Sequence, residues 1–130
     1  MTVGYLSVEQ VRALHSDQLR LYGGARGLRD RGGLESALAR PTMTFGGEDL
    51  YEDLASKAAA LMHSLVLNHA FVDGNKRVAA HAAILFVELN GQTFLATPGD
   101  LVEMTLAVAE GEVAVEALTI WLRQRLRATD

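Results

Sequence analysis

Hydrophobic positions recur at helical spacing along most of the chain. Leu54, Ala58, Leu61 and Leu65 fall at steps of four, three and four, and His69 stands one step further on the same stripe. This pattern predicts a helix starting near Glu52 that delivers His69 to its C-terminal end. A second helix is predicted over residues 74–90, closed by Gly91 in the left-handed cap position. Its interior, residues 78–87, is apolar nearly all round apart from His81, as expected of a helix surrounded by others. Ala79, Ala80, Ala82 and Ala83 permit close helix approach there.

Helix boundaries are written elsewhere in side-chain chemistry. Ser7 and Gln10 have capping-box spacing, with Leu6 and Val11 placed as a hydrophobic staple, and Gly23-Gly24 ends that first helix. Residues 34–40 form a short helical candidate stopped by Pro41. Thr97-Pro98 is an N-cap followed by a proline at the first helical position, opening a helix that carries Leu101, Met104 and Val108 and ends near Gly111. The last helix is predicted over residues 112–127. Val115, Leu118, Leu122 and Leu126 make its buried stripe, with Trp121 beside them, and Arg123, Arg125 and Arg127 complement the negative end of its dipole. Residues 41–53 have no period, contain Phe45-Gly46-Gly47 and carry acidic but no basic side chains, which reads as an exposed flap. Only residues 92–96 look extended, and no set of strands able to make a sheet is visible. The expected fold is all-α: one compact domain over residues 1–130, with about six helices around the apolar 78–87 helix.

Composition narrows the function classes. With 130 residues, 49% hydrophobic and 22% charged, the chain can bury a sizeable core and is not compositionally disordered. Twelve Lys and Arg against sixteen Asp and Glu give a net charge of −4, which weighs against direct nucleic-acid binding by phosphate neutralisation. The absence of cysteine removes disulfides, thiolate zinc sites and cysteine nucleophiles. No basic, then apolar, N-terminal leader is visible, and the 78–87 run falls short of the roughly 20 residues that span a bilayer. A cytoplasmic protein with no membrane partner is expected.

Chemistry concentrates between the two central helices, in His69-Ala70-Phe71-Val72-Asp73-Gly74-Asn75-Lys76-Arg77. The first amides of the second helix have no intrahelical partner, and the dipole there favours negative charge. Gly74 lets the chain turn and a phosphate approach the backbone. Lys76 and Arg77 supply local positive charge where capping preference would exclude it, Arg77 as a fork and Lys76 as a mobile point charge. Asp73 is a hard oxygen ligand suited to Mg²⁺ bridging phosphate oxygens. His69 is placed to act as general base for an attacking hydroxyl. Phe71 reads as a buried pin of the loop. Together these residues describe transfer at a phosphate ester.

His69, Phe71, Asp73, Gly74, Asn75, Lys76 and Arg77 resemble the active-site motif of the Fic/Doc family, specifically its death-on-curing (Doc) branch, where lysine replaces a glycine of ordinary Fic proteins. Gly27-Leu28-Arg29-Asp30, Leu34-Glu35-Ser36-Ala37-Leu38, Arg40-Pro41 and Phe45-Gly46-Gly47 extend the resemblance over nearly the whole chain. It implies His69 as base, Asp73 as Mg²⁺ ligand, and Asn75 and Arg77 as phosphate binders, with ATP and Mg²⁺ as cofactors. In Doc-type toxins the lysine, here Lys76, goes with an inverted nucleotide and transfer of the γ-phosphoryl group. The implied acceptor is a threonine hydroxyl of elongation factor Tu, with translation arrest as the outcome. The implied partner is a Phd-type antitoxin that folds a C-terminal segment onto the toxin. Two positions depart from the wider pattern: Ala80 stands where ordinary Fic motifs close with a second arginine, and Val78 where many relatives have threonine.

Other readings remain open on the residues alone. Ordinary Fic-type nucleotidyl transfer is one, and a non-enzymatic nucleotide- or partner-binding module is another. His63 reads as a helix residue bonded to neighbours, and so does His81, which one turn beyond Arg77 could instead line the nucleotide pocket. Arg26, Arg29 and Arg31 read as a solvated surface, the alternative being a docking surface for target or antitoxin.

Overall fold

The computed structural model describes residues 2–129. Six α-helices carry the fold: α1 (Val8–Tyr22), α2 (Arg31–Ala39), α3 (Leu54–Asn68), α4 (Asn75–Leu89), α5 (Pro98–Ala109) and α6 (Val115–Arg123). A 3₁₀ turn, Arg40–Thr42, follows α2 and leads to an antiparallel hairpin, β1 (Thr44–Phe45) and β2 (Glu48–Asp49). β3 (Gln92–Phe94) and β4 (Leu126–Ala128) form a second antiparallel pair. Among the described residues no helix is long and apolar enough to cross a membrane.

Most boundaries follow the local chemistry. Ser7 and Gln10 exchange both bonds of the capping box at the start of α1, and Thr97 accepts from the Asp100 amide at the start of α5. α2 begins earlier than the apolar pattern suggests, at Arg31, because the Asp30 carboxylate accepts from the Gly33 amide at 2.8 Å. A capped N-terminus offsets two glycines in the first turn.

The C-terminal expectation of a helix over residues 112–127 needs correction. α6 covers only Val115–Arg123, and Leu126–Ala128 leave the helix to pair with β3 in the register Gln92↔Ala128, Thr93↔Arg127 and Phe94↔Leu126. The expectation that no sheet forms is corrected with it. Alone, residues 92–94 would leave their ladder groups unpaired, and β4 satisfies them. Phe94 packs near Trp121, ring centroids 5.7 Å apart, which joins the small sheet to α6. Arg125 donates to the Trp121 carbonyl at 3.0 Å, so it does meet the helix end. Arg127 lies in β4, and Arg123 pairs with Asp53 at 2.8 Å.

α3 and α4 pack against each other at the centre. α4 also meets α1, α5 and β3, while α3 meets α2, α5 and α6. The expected central helix, α4, therefore shares that place with α3, whose Ala58, Ala59, Leu61, Met62 and Leu65 are buried. Each such leucine contributes about 1.5–3 kcal/mol by leaving water. Lys57 is buried among them, 2% exposed. Its ammonium pairs with Asp49 of β2 at 3.0 Å and donates to the Tyr51 carbonyl, so the hairpin is tethered to α3. The hairpin is the exposed flap expected for residues 41–53, with Phe45 82% exposed near its tip.

Asp53 closes the bundle twice: it caps α3 through the Ser56 amide and bonds Arg123 of α6. The bond from Arg123 is the main reason its carboxyl falls from 3.8 to about 2, against the opposing effect of burial, with the Ser56 bonds adding to the fall. A folded-state pKa below the unfolded one gives stability that is complete above 3.8 and is lost as pH falls toward about 2. Both partners are about half exposed, so solvent screening keeps the pair's share below about 1 kcal/mol. Asp53→Ala is expected to lower the unfolding free energy by about 1–2 kcal/mol at neutral pH, cap and pair together. Urea titrations should show that gap shrinking as pH approaches about 2.

Candidate active site

His69 is the C-cap of α3 and lies in the left-handed region, φ 46° and ψ 48°. It is the one non-glycine residue with positive φ among those described. Such a conformation is costly for a branched chain and tolerable for histidine, and it persists only where neighbours hold it. Here the Arg29 guanidinium donates to the His69 carbonyl. The Asn68 side chain, one residue earlier, donates to the Gly33 carbonyl at 2.9 Å. The His69 side chain itself is exposed.

Residues 27–30 clamp the connection that follows. The amides of Arg29 and Asp30 both donate to the Ala70 carbonyl, at 2.8 and 2.9 Å, and the Val72 amide donates to the Gly27 carbonyl at 3.0 Å. Phe71 is 3% exposed, its ring stacked on His15 at 3.9 Å between centroids. His15, 4% exposed, places Nε2 2.7 Å from the Asp73 carbonyl oxygen. That oxygen can only accept, so Nε2 carries the hydrogen. Asn75 reaches back from the first turn of α4, accepting from the Phe71 amide at 3.0 Å and donating to its carbonyl at 2.9 Å. Its amide keeps one N–H for a ligand.

Asp73 and Gly74 form the last bend. Asp73 Oδ2 accepts from the Ala25 amide at 3.1 Å and Oδ1 from the Gly74 amide at 2.9 Å. Those bonds, Ala25 first, hold the exposed carboxyl below the ordinary carboxylate range, and the charge of Arg77 adds in the same sense. Each carboxylate oxygen retains an acceptor site. A Cβ on Gly24 would stand 2.9 Å from Asp73 Oδ2, so only glycine lets residues 24 and 25 cover this carboxylate. Gly74, φ 78°, is the N-cap of α4 and supplies no side-chain cap. The first amides of α4 are therefore free to bind an anion, as the dipole favours.

Lys76 and Arg77 are exposed in that first turn. Both line a cleft of about 720 Å³ between α1, α4, β3 and α5. Arg77 stands over the Tyr22 ring at 5.0 Å. His81 lines the same cleft, and burial lowers its pKa, favouring the neutral ring. Gln18 also lines it, with a buried Oε1 that has no hydrogen-bond partner. His63 lies elsewhere: its Nε2 meets the Val113 carbonyl at 3.0 Å, and burial lowers its pKa more than that bond raises it.

The arrangement can hold a phosphate chain at the α4 N-terminus beside a fixed carboxylate and a histidine. Among the described residues no group of three or more His, Cys, Asp or Glu could hold a metal by itself. Asp73 alone fits Mg²⁺, which uses one or two carboxylates and takes its other ligands from phosphate and water. His15 and Gln18 carry no sequence signal of these roles, and neither does the bond from Arg29 to the His69 carbonyl. Of the loop arginines, all exposed as expected, Arg29 also clamps the His69 carbonyl, and Arg31 approaches Glu35 at 3.9 Å on the surface.

Three comparisons bear on this geometry. A model of the Fic/DOC family matches residues 5–87. "Toxin Doc" of Mycolicibacterium smegmatis is 53% identical over 70 residues, 54% of each chain, so the match spans about half the length of that relative. "Protein kinase doc" of Escherichia phage P1 is 32% identical over 120 residues, covering 92% of this chain and 94% of that one.

Replacing Arg29 with alanine removes an exposed donor without opening a cavity. Global stability should change by about 1 kcal/mol or less. Hydrogen exchange should quicken selectively at the Phe71 and Val72 amides, which are bonded to Asn75 and Gly27 in the loop that follows the released carbonyl.

Proposed function

The chain belongs to the Fic/DOC family, and from that membership we propose that it is the toxin of a toxin–antitoxin pair, transferring the γ-phosphoryl group of ATP to a protein hydroxyl in the cytoplasm. The observation that carries this reading is the uncapped N-terminus of α4, with Lys76 and Arg77 in its first turn and Asp73 and His69 on the connection leading into it. The names of the two relatives, a toxin and a protein kinase, support it.

In this reading the free amides of α4, the remaining Asn75 N–H, Lys76 and Arg77 bind and orient the phosphate chain. Asp73 would hold Mg²⁺, which when bound would supply positive charge against the negative charge that builds up in transfer. His69 takes the proton as the acceptor oxygen bonds the γ-phosphorus and the bond from that phosphorus to the β,γ-bridging oxygen breaks, releasing ADP. The proposed acceptor is a threonine of elongation factor Tu, whose modification would arrest translation. Ala80 lines the cleft where ordinary Fic motifs have an arginine, which disfavours nucleotidyl transfer.

The partner is a Phd-type antitoxin, and the apolar cleft along α4 is the surface that fits its C-terminal segment. Tyr22, Val102 and Leu106 are exposed along it. A segment folding there would cover Lys76 and Arg77 and could bring a donor to Gln18 Oε1.

Incubation with elongation factor Tu, Mg²⁺ and ATP labelled at the α or the γ phosphate tests the reaction. Label is expected from γ only, and to fall by about 100-fold or more in His69→Ala and in His69→Asn, the latter tolerating the left-handed backbone. Label from α would restore nucleotidyl transfer, and none above the His69 variants would leave a binding module. Leu106→Glu is expected to weaken antitoxin binding by about tenfold or more while transfer persists, read by titration of antitoxin against activity.

A further inference from the structure

A second concavity, about 560 Å³, is lined by α1, by the 24–28 segment and by Phe71, and it does not include Lys76 or Arg77. Arg12, Ser16 and Arg20 follow one another at four-residue spacing along a single face of α1, and Arg26 joins them from the loop, with His15 and Phe71 among the other lining residues. Asp17 is the one carboxylate there, and it is bonded to Arg20 at 3.2 Å. Arg12 and Arg26 have no ion-pair partner among the described residues. Three guanidinium groups thus gather around one recess of a chain whose net charge is −4. Unrelieved like charge is unfavourable, and forked donors converging from separate elements match the oxygens of a phosphate group.

We propose that this recess is a second anion site, taking a small ligand with two or more phosphate groups, and that its occupancy stiffens the candidate active site. A concave volume of this size suits a small molecule better than a flat protein face. Ser16 adds a hydroxyl to the guanidinium donors. The coupling runs through one stretch of backbone. Arg26 adjoins Ala25, whose amide holds Asp73 Oδ2 at 3.1 Å, and His15 lines the recess while donating to the Asp73 carbonyl. A phosphate group that draws Arg26 toward Arg12 and Arg20 therefore fixes the amide that orients Asp73.

Calorimetric titration of the full chain with inorganic pyrophosphate, at low ionic strength and without divalent metal, tests this. A Lys76→Ala/Arg77→Ala background removes the cations of the α4 site, and no transfer assay is involved, so failure here is separate from failure of the kinase reading. Binding is expected in that background. Adding Arg12→Ala and Arg20→Ala, both exposed on α1, should weaken it by about tenfold or more, and bound pyrophosphate should slow hydrogen exchange at the Ala25 amide. No binding, affinity unchanged by the α1 substitutions, or exchange at Ala25 indifferent to ligand would overturn the proposal. Binding of poly-glutamate but not pyrophosphate would also overturn it, in favour of an acidic protein surface as the occupant.

Discussion

Everything at the candidate site depends on a stretch of chain that makes no regular structure of its own. Between α3 and α4 the backbone must turn, expose a histidine and a carboxylate, and still satisfy its polar groups. The segment at residues 27–30 meets that demand by taking the Ala70 carbonyl twice, holding the His69 carbonyl through Arg29, and accepting from Val72. Buried backbone groups left unpaired would cost more than the net worth of the bonds themselves. The clamp therefore makes the loop conformation obligatory, and the left-handed His69 is one result of it.

Charge is arranged by the same economy of place. The chain is acidic overall, yet the first turn of α4 carries Lys76 and Arg77 where a helix ordinarily has acidic residues or a capping side chain. Beyond the Arg77 contact with the Tyr22 ring the fold gains little from that arrangement, since cations there oppose the helix dipole. The cost is small against a core built on α3 and α4, and it leaves a ready site for phosphate. Asp73 is held as a carboxylate by backbone amides rather than by a salt bridge, so it keeps acceptor sites open.

Local rules were enough for much of this. Helix spacing and caps located six helices, and the nine-residue segment from His69 marked the candidate site residues because their types and order are dense and unusual. Three kinds of feature were illegible. His15 and Arg29 bond to backbone carbonyls 58 and 40 residues away, and no periodicity marks such a partner. Leu126 continues the four-residue spacing of Leu118 and Leu122, so the strand it enters looked like more helix until pairing with β3 prevailed. Asp30 caps α2 ahead of two glycines, which masked the helix start.

The bundle also imposes an order on the chain's birth at the ribosome. The segments that form the candidate site end at Arg77, yet α3, which positions His69, rests one flank on α6 and is bonded at its first turn to Arg123. Leu118 and Leu122 are among the last buried side chains to be made. Until they emerge, α3 has an open apolar flank, although the contacts that hold His69, made by residues 27–33, are already available. A nascent chain can in this way complete the clamp of residues 27–30 at the His69 end before α6 covers the opposite end of α3, so the helix gains its last support only when the later segment is made.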